Sequence, residues 1–238
     1  MNRRALSASR VSGEDGFRWR GHEVSRLEGF SDAVFAFAVT LLVVSLEVPK
    51  TYAELIEAMS GFGVFGICFS LLAYVWYEHY RYFRRYGLET PWAVALNCAL
   101  LFCVLFYVYP LKFLFSAALG RWQFPEHEAR TIFSTYDAGF SVVFGVLFLL
   151  YLYAWHLRED LELTARERVR TLHSLTNQAI MVLLGLMLIL GAQFLPARLV
   201  GMTGLFYTAI PLLYWLSGWF WGRRERVHRR APSGAGHS

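Results

Sequence analysis

The residue of this chain with the clearest chemical potential is Asp32, a carboxylate inside an apolar stretch. It follows Phe30 and Ser31 and leads into the run AVFAFAVTLLVVSLEV, which ends at Pro49. An ionisable group within a membrane segment costs about 2.5–3.5 kcal/mol on insertion scales, and it usually faces a partner or a water-filled cavity. The first apolar helix is therefore the first place to look for a functional site.

Polar partners for Asp32 are within reach if the apolar blocks cross a membrane. Trp76 and His79 end the second block, which would return to the depth of Asp32, and Arg26 precedes Asp32 by less than two turns. A structural clamp of Asp32 with His79 or Arg26 is one interpretation, because carboxylates in membranes mostly pair. A proton relay is the alternative, because histidine titrates near neutrality.

The remaining reactive side chains form no pattern of enzyme chemistry. Cys68, Cys98 and Cys103 lie in apolar blocks without metal-ligand spacing, and the histidines form no cluster. Lys112 and Asp137 fall near the outer ends of the third and fourth blocks, where we expect a structural pair. We expect no enzymatic activity, no cofactor and no metal.

Composition places the chain in a membrane. It is 56% hydrophobic and 17% charged, against about 25% charged residues in soluble domains. Its apolar blocks predict six spans, near residues 30–48, 55–77, 92–119, 132–157, 174–195 and 198–221. Of the 23 Lys and Arg residues, 18 lie before the first span, after the sixth, and in the second and fourth connections. This positive-inside pattern predicts cytoplasmic termini, so we attribute the charge to topology and lipid contact and not to nucleic acid.

The predicted organisation is one transmembrane domain between two flexible tails. Residues 1–24 form a basic cytoplasmic tail, residues 25–221 the six-helix domain, and residues 222–238 a second cytoplasmic tail. Ser25-x-x-Glu28 is a capping-box pattern and predicts that the first helix begins there. The Phe-Ser-Asp element occurs once, so one chain supplies one copy of this helix.

One face of the first helix has two interpretations. Phe30, Phe37, Leu41 and Val44 recur at helical spacing, with Thr40 beside them. The stripe could face lipid or the helix bundle, as apolar stripes commonly do. It could instead line a pore, where an apolar constriction gates or filters ions. Periodicity alone leaves both open.

Together these residues resemble the signature of the transmembrane protein 175 family, potassium-permeable channels of lysosomes with shorter bacterial relatives. The likeness covers roughly the first 110 residues. It rests on Arg26-x-x-x-Phe30-Ser31-Asp32, on the Ala-rich run with Thr40-Leu41-Leu42, on Trp76-x-x-His79, and on Asn97 with Pro110.

The resemblance implies an all-α membrane protein of six transmembrane helices, in which helix 1 lines the central pore of a homotetramer. It implies a pore lining of Phe37, Thr40, Leu41 and Val44, with Phe37 where the family typically has Ile or Leu at its narrowest point. This difference leaves the ion selectivity open. The implied structural network comprises Arg26, Phe30, Ser31, Asp32, Trp76, His79 and Asn97.

The function implied by the resemblance is passive conduction of K⁺, with other monovalent cations or protons as further permeant ions. The location implied is the cell membrane, and for a single six-helix unit the plasma membrane of a bacterium. A proton-permeable channel, a secondary transporter and a non-conducting membrane scaffold are the alternatives. Against a transporter, the sequence shows no pair of broken helices in matching halves.

Overall fold

The structure is a computed structural model that describes residues 17–21, 23–44, 50–60, 62–118, 126–194, 217–219 and 221. Within these residues, six helices have defined bounds: α1 (Arg26–Val44), α2 (Tyr52–Ser60), α3 (Phe62–Tyr86), α4 (Pro91–Ala118), α5 (Glu126–His156) and α6 (Ala165–Phe194). The predicted all-helical architecture is confirmed.

Three of the described helices are long and apolar enough to cross a membrane. The segments are Pro91–Val108 in α4, Arg130–His156 in α5 and Ala165–Phe194 in α6. The region of the predicted second span is divided between α2 and α3, and the predicted sixth span, near 198–221, lies mostly outside the described residues. Six spans with cytoplasmic termini stay a prediction.

Short-range hydrogen bonds explain where the helices begin. The Ser25 hydroxyl accepts from the Glu28 N–H at 3.2 Å and the Glu28 carboxylate accepts from the Ser25 N–H at 3.0 Å, so the predicted capping box is confirmed. The same reciprocal pair joins Thr164 and Glu167 before α6. Pro91 opens α4, where its missing N–H removes no helical bond.

Helix α5 lies at the centre of the packing, against α4 on one side and α6 on the other, while α1 packs against α3 and α4. Gly185 of α6 lies so close to α5 that a Cβ there would be 2.1 Å from the Ser141 hydroxyl. Gly139 of α5 allows the same approach by Tyr107 of α4, whose ring would be 2.7 Å from a Cβ. Small residues thus set the helix spacing, as is common in membrane bundles.

Residues 17–21, here called the N-terminal strap, pack against the C-terminal end of α3 and the N-terminal end of α6. Both ends are predicted to be cytoplasmic. Phe17 is buried with its ring edge-on to Tyr86. The Arg20 guanidinium forms an ion pair with Glu167 at 3.1 Å and donates to the Leu161 carbonyl at 3.1 Å. The sequence assigns residues 1–24 to a flexible tail, but this part of it is held by buried aromatic and charged groups.

Two positions where the strap meets the end of α3 are occupied by glycine for structural reasons. The N–H groups of Arg20 and Gly21 both donate to the Arg84 carbonyl at 3.2 Å, so the strap backbone lies on the last turn of α3. A Cβ on Gly21 would be 2.9 Å from the Phe83 carbonyl oxygen. Gly87, which ends α3, has a φ of 58°, in the left-handed region that favours glycine.

The predicted pairing of Lys112 with Asp137 cannot be assigned. Asp137 is buried on α5, and its carbonyl oxygen accepts from the Ser141 hydroxyl at 2.8 Å. The Lys112 side chain lies outside those described, as does that of Pro110 in the family pattern.

Candidate functional site

The covered side of α1 is held by a chain of hydrogen bonds through three helices. Ser31 donates its hydroxyl to the Leu27 carbonyl at 2.8 Å, so its oxygen is available to accept. The Asn97 amide nitrogen of α4 donates to that oxygen at 2.9 Å. The Asn97 amide oxygen therefore faces α3, where His79 Nε2 lies 2.8 Å away. We call Ser31, Asn97 and His79 the motif network.

The direction of these bonds fixes the proton on His79. Because the Asn97 oxygen can only accept, His79 Nε2 must carry a hydrogen and donate it. In the neutral imidazole Nδ1 then has a lone pair, and this buried atom has no hydrogen-bond partner among the described residues. The ring lies between Phe35 and Phe83, with centroid distances of 5.6 and 4.7 Å. These apolar walls favour the neutral ring.

Asp32 has a different partner from either one predicted. Its carboxylate accepts a hydrogen bond from the Trp76 indole N–H at 2.8 Å. Within the described part of the chain, it forms no hydrogen bond or ion pair with His79 or Arg26, so the structure of one chain does not contain the clamp expected for those residues. The indole of Trp76 reaches the carboxylate, whereas Nε2 of His79 faces Asn97 on α4.

The predicted network residues thus separate into two groups. Ser31, His79 and Asn97 are buried together, and Asp32 joins Trp76 beside them. Arg26 and Phe30 are exposed, and within the described residues Arg26 forms no ion pair or hydrogen bond. The structure of one chain brings five of the seven residues together and leaves the other two on its surface.

The opposite side of α1 is open. At about 100° per residue, Phe30, Phe37 and Thr40 share one face, and all three side chains are exposed. Phe37 is 56% exposed, whereas Phe35 on the covered side is 4% exposed. Leu41 is half-buried at the edge of this face, and the Val44 side chain lies outside those described.

A groove lies beside this open face, between α1 and α3. It has a volume of about 360 Å³. Its walls are apolar except for Asp32 and Trp76, and they include Ala36, Val39 and Phe69. One chain by itself leaves this groove unfilled next to the exposed phenylalanines.

A second buried polar cluster was missed by the sequence analysis. The Glu78 carboxylate of α3 accepts from Arg81 at 2.9 Å, from the Tyr151 hydroxyl of α5 at 3.0 Å and from the Gln178 amide of α6 at 3.0 Å. We call these four residues the Glu78 cluster. Glu78 itself is 2% exposed. The signal was available, because Glu78 is an ionisable residue at the end of an apolar helix, as Asp32 is.

The fold and the site define a class of protein: an all-helical membrane protein in which one helix is held on one side by a buried polar network and is open on the other. A family profile described as endosomal/lysosomal potassium channel TMEM175 matches residues 26–107. That stretch contains the whole motif network.

Similarity to known proteins extends beyond the matched segment. The chain is 35% identical over 180 residues to a protein of Marivirga tractuosa named potassium channel, covering 69% of this chain and 73% of that protein. It is 26% identical over 142 residues to a potassium channel of Streptomyces collinus, covering 57% and 65%. The chain belongs to the TMEM175 family of potassium channels.

Solved structures agree with the fold. The potassium channel MtTMEM175, crystallised as a variant with a nanobody–MBP fusion protein, has a TM-score of 0.71 and 30% identity, covering 88% of this chain and 97% of that chain. A lysosomal potassium-selective channel TMEM175 homologue from Chamaesiphon minutus has a TM-score of 0.58 at 23% identity, covering 79% and 96%. The second likeness concerns the fold alone.

Proposed function

We propose that this protein is a potassium-permeable cation channel in which four copies of α1 surround the pore. The observation that carries the proposal is the two-sided character of α1. One side is fixed by the motif network, and the other exposes Phe37 and Thr40. The relatives named as potassium channels support K⁺ as the permeant ion.

The constriction in this proposal is a ring of four Phe37 side chains. An apolar ring blocks ions by denying them hydration, and its diameter decides whether water can enter. Ring faces can also attract cations. Thr40 lies one turn further along the same face and would supply a polar layer, since its hydroxyl donates to the Phe37 carbonyl at 2.7 Å and leaves the oxygen outward.

The homotetramer is part of the proposal because one helix cannot enclose a pore. The groove between α1 and α3 and the exposed face beside it are apolar surfaces that a neighbouring copy can cover. The further expectations are six spans, cytoplasmic tails and a location in a bacterial plasma membrane. Mass measurement in mild detergent tests the assembly, and a monomeric or dimeric mass contradicts it.

Bilayer recording of the purified protein under a K⁺/Na⁺ gradient tests the function. We expect a passive current whose reversal potential lies closer to the equilibrium potential of K⁺ than to that of Na⁺. A saturating, coupled flux would identify a transporter instead, and the absence of any flux would favour a scaffold. Phe37→Asn should raise conductance and weaken the preference for K⁺ over Na⁺, because a polar side chain admits water.

Phe35→Asn is the matched control for the Phe37 substitution. Phe35 lies two residues away on the covered side, against His79, so its replacement should reduce stability and leave the permeability ratio of the surviving channels unchanged. Equal effects on permeation at both positions would mean that the open face does not line the pore.

Proton permeation is a second candidate, and the observation that favours it is the buried His79. Its Nδ1 lone pair has no partner among the described residues, so it could accept a proton. Recording under a pH gradient with impermeant salts separates the two candidates. A reversal potential that follows the proton gradient, and is abolished by His79→Phe, would support the relay.

A further inference from the structure

Helix α3 carries two buried polar side chains that are consecutive in sequence and point to different neighbours. His79 bonds to Asn97 and, through it, reaches Ser31 on α1. Glu78 bonds to Tyr151 on α5 and Gln178 on α6. The motif network and the Glu78 cluster therefore share no residue, and they are joined by α3, through its backbone and through the rings of Phe83 and Tyr82 between His79 and Tyr151.

The Glu78 cluster is attached to a tightly packed pair of helices. Gly185 brings α6 against Ser141 of α5 so closely that even a methyl group would not fit. Tyr151 is fully buried, with its ring edge-on to Tyr82 at a centroid distance of 5.5 Å. Because Tyr151 and Gln178 belong to this tightly packed pair of helices, their hydrogen bonds to Glu78 can hold α3 in one orientation.

The geometry sets how much rotation of α3 the clusters allow. Side chains extend about 5–6 Å from a helix axis, so a rotation of about 20° displaces their ends by about 2 Å. Hydrogen bonds of 2.8–3.0 Å, such as those of Glu78 and His79, do not survive such a displacement. Whatever fixes Glu78 therefore also fixes His79.

We propose that Glu78 is a positioning residue for the pore: bound by α5 and α6, it sets the rotation of α3, so that His79 holds Asn97 against Ser31 and orients α1. This inference rests on the proposed channel function. Glu78 lies away from the open face of α1 and acts through α3.

The test is a double-mutant cycle between two hydroxyls that do not touch. Ser31→Ala removes one oxygen from the motif network, and Tyr151→Phe removes one donor from the Glu78 cluster while keeping the ring. Single-channel recording gives the ratio of open to closed time. We expect each substitution to change this ratio and the double mutant to depart by about threefold or more from the product of the two effects.

The matched control is Ser134→Ala. Ser134 lies on α5, like Tyr151, and accepts a hydrogen bond from Gln193 of α6 at 3.2 Å, but it forms no hydrogen bond with α3 among the described residues. Combined with Ser31→Ala, it should give the product of the single effects within about twofold. If the effects of Tyr151→Phe and Ser31→Ala on the ratio of open to closed time also multiply within about twofold, as in the control pair, the proposal is overturned.

Hydrogen–deuterium exchange across residues 26–44 provides a readout that does not need current. Tyr151→Phe should accelerate exchange in α1, as Ser31→Ala does, and Ser134→Ala should not. If the wild-type protein fails to conduct but this pattern appears, the channel function is refuted and the positioning role stands. If the protein conducts and exchange in α1 is unchanged by Tyr151→Phe, the positioning role is refuted alone.

Glu78→Gln tests the carboxylate directly in the same two assays. It keeps the shape of the side chain but removes the charge that pairs with Arg81, so its effect on open time and on exchange in α1 should exceed that of Tyr151→Phe. Glu78→Asp retains the charge and should recover part of the wild-type open time. If Glu78→Gln does not assemble, Tyr151→Phe decides the question, because it leaves the ion pair intact.

Discussion

Replacing Asn97 by Leu should be the most damaging single change in the motif network. Asn97 is fully buried and joins three helices through two hydrogen bonds, one with His79 and one with Ser31. Interhelical hydrogen bonds in membrane proteins contribute about 0.6 kcal/mol each on average. The substitution also leaves the His79 Nε2–H buried without an acceptor, which costs about 1–3 kcal/mol. The expected loss in the free energy of unfolding is therefore about 2–4 kcal/mol.

The double mutant Asn97→Leu with His79→Phe distinguishes a stranded donor from lost packing. Both partners are then apolar and similar in shape to the originals, and Ser31 still donates to the Leu27 carbonyl. Such paired replacements can be nearly neutral, so we expect recovery to within about 1 kcal/mol of the wild type. Reversible unfolding in mixed micelles at fixed protein concentration, followed by tryptophan fluorescence, gives the values. If the double mutant is as unstable as the sum of the single mutants, the reasoning about the stranded donor is refuted.

Three further predictions concern other parts of the chain. Gly185→Ala should destabilise the protein by about 1–3 kcal/mol through overpacking, whereas Gly145→Ala, where nothing lies within 4 Å of the added carbon, should be neutral or stabilising in the same unfolding assay. Arg20→Ala should release the strap, because it removes the ion pair with Glu167; limited proteolysis near residues 17–21 should accelerate for this variant but not for Arg18→Ala. Trp76→Phe should lower the free energy of unfolding by about 0.5–1.5 kcal/mol. We expect the lower value, because Asp32, which accepts the hydrogen bond, is exposed. A loss as large as that of Asn97→Leu would contradict this exposure.

Local patterns predicted much of the fold, because they depend on neighbouring residues. The helical blocks follow from hydropathy, and the Ser25–Glu28 capping box follows from two residues three positions apart. The same pattern at Thr164–Glu167 was equally readable and shows that α6 begins before the predicted span at 174. Span limits and helix limits differ because a helix can continue beyond the apolar layer.

Partners across helices were harder to predict, because depth in a membrane restricts them without deciding the rotation of each helix. Asp32, Trp76 and His79 were placed at one depth, yet Asp32 bonds to Trp76 and His79 bonds to Asn97. The Glu78 cluster joins positions up to 100 residues apart, and no local pattern links them. The strap was assigned to a tail because its few residues have no periodicity, and its order follows from contacts with distant residues, namely Arg84, Tyr86 and Glu167.

The strap also has a consequence for how the protein is made. Arg20 and Glu167 are 147 positions apart, and a ribosome synthesises the chain from its N-terminus. Helix α1 is therefore synthesised long before Glu167, which pairs with the segment that precedes this helix. The contacts of residues 17–21 with α3 are available once that helix has been synthesised. The contacts with Leu161 and Glu167 form only after the start of α6 has emerged, when the first five helices already exist.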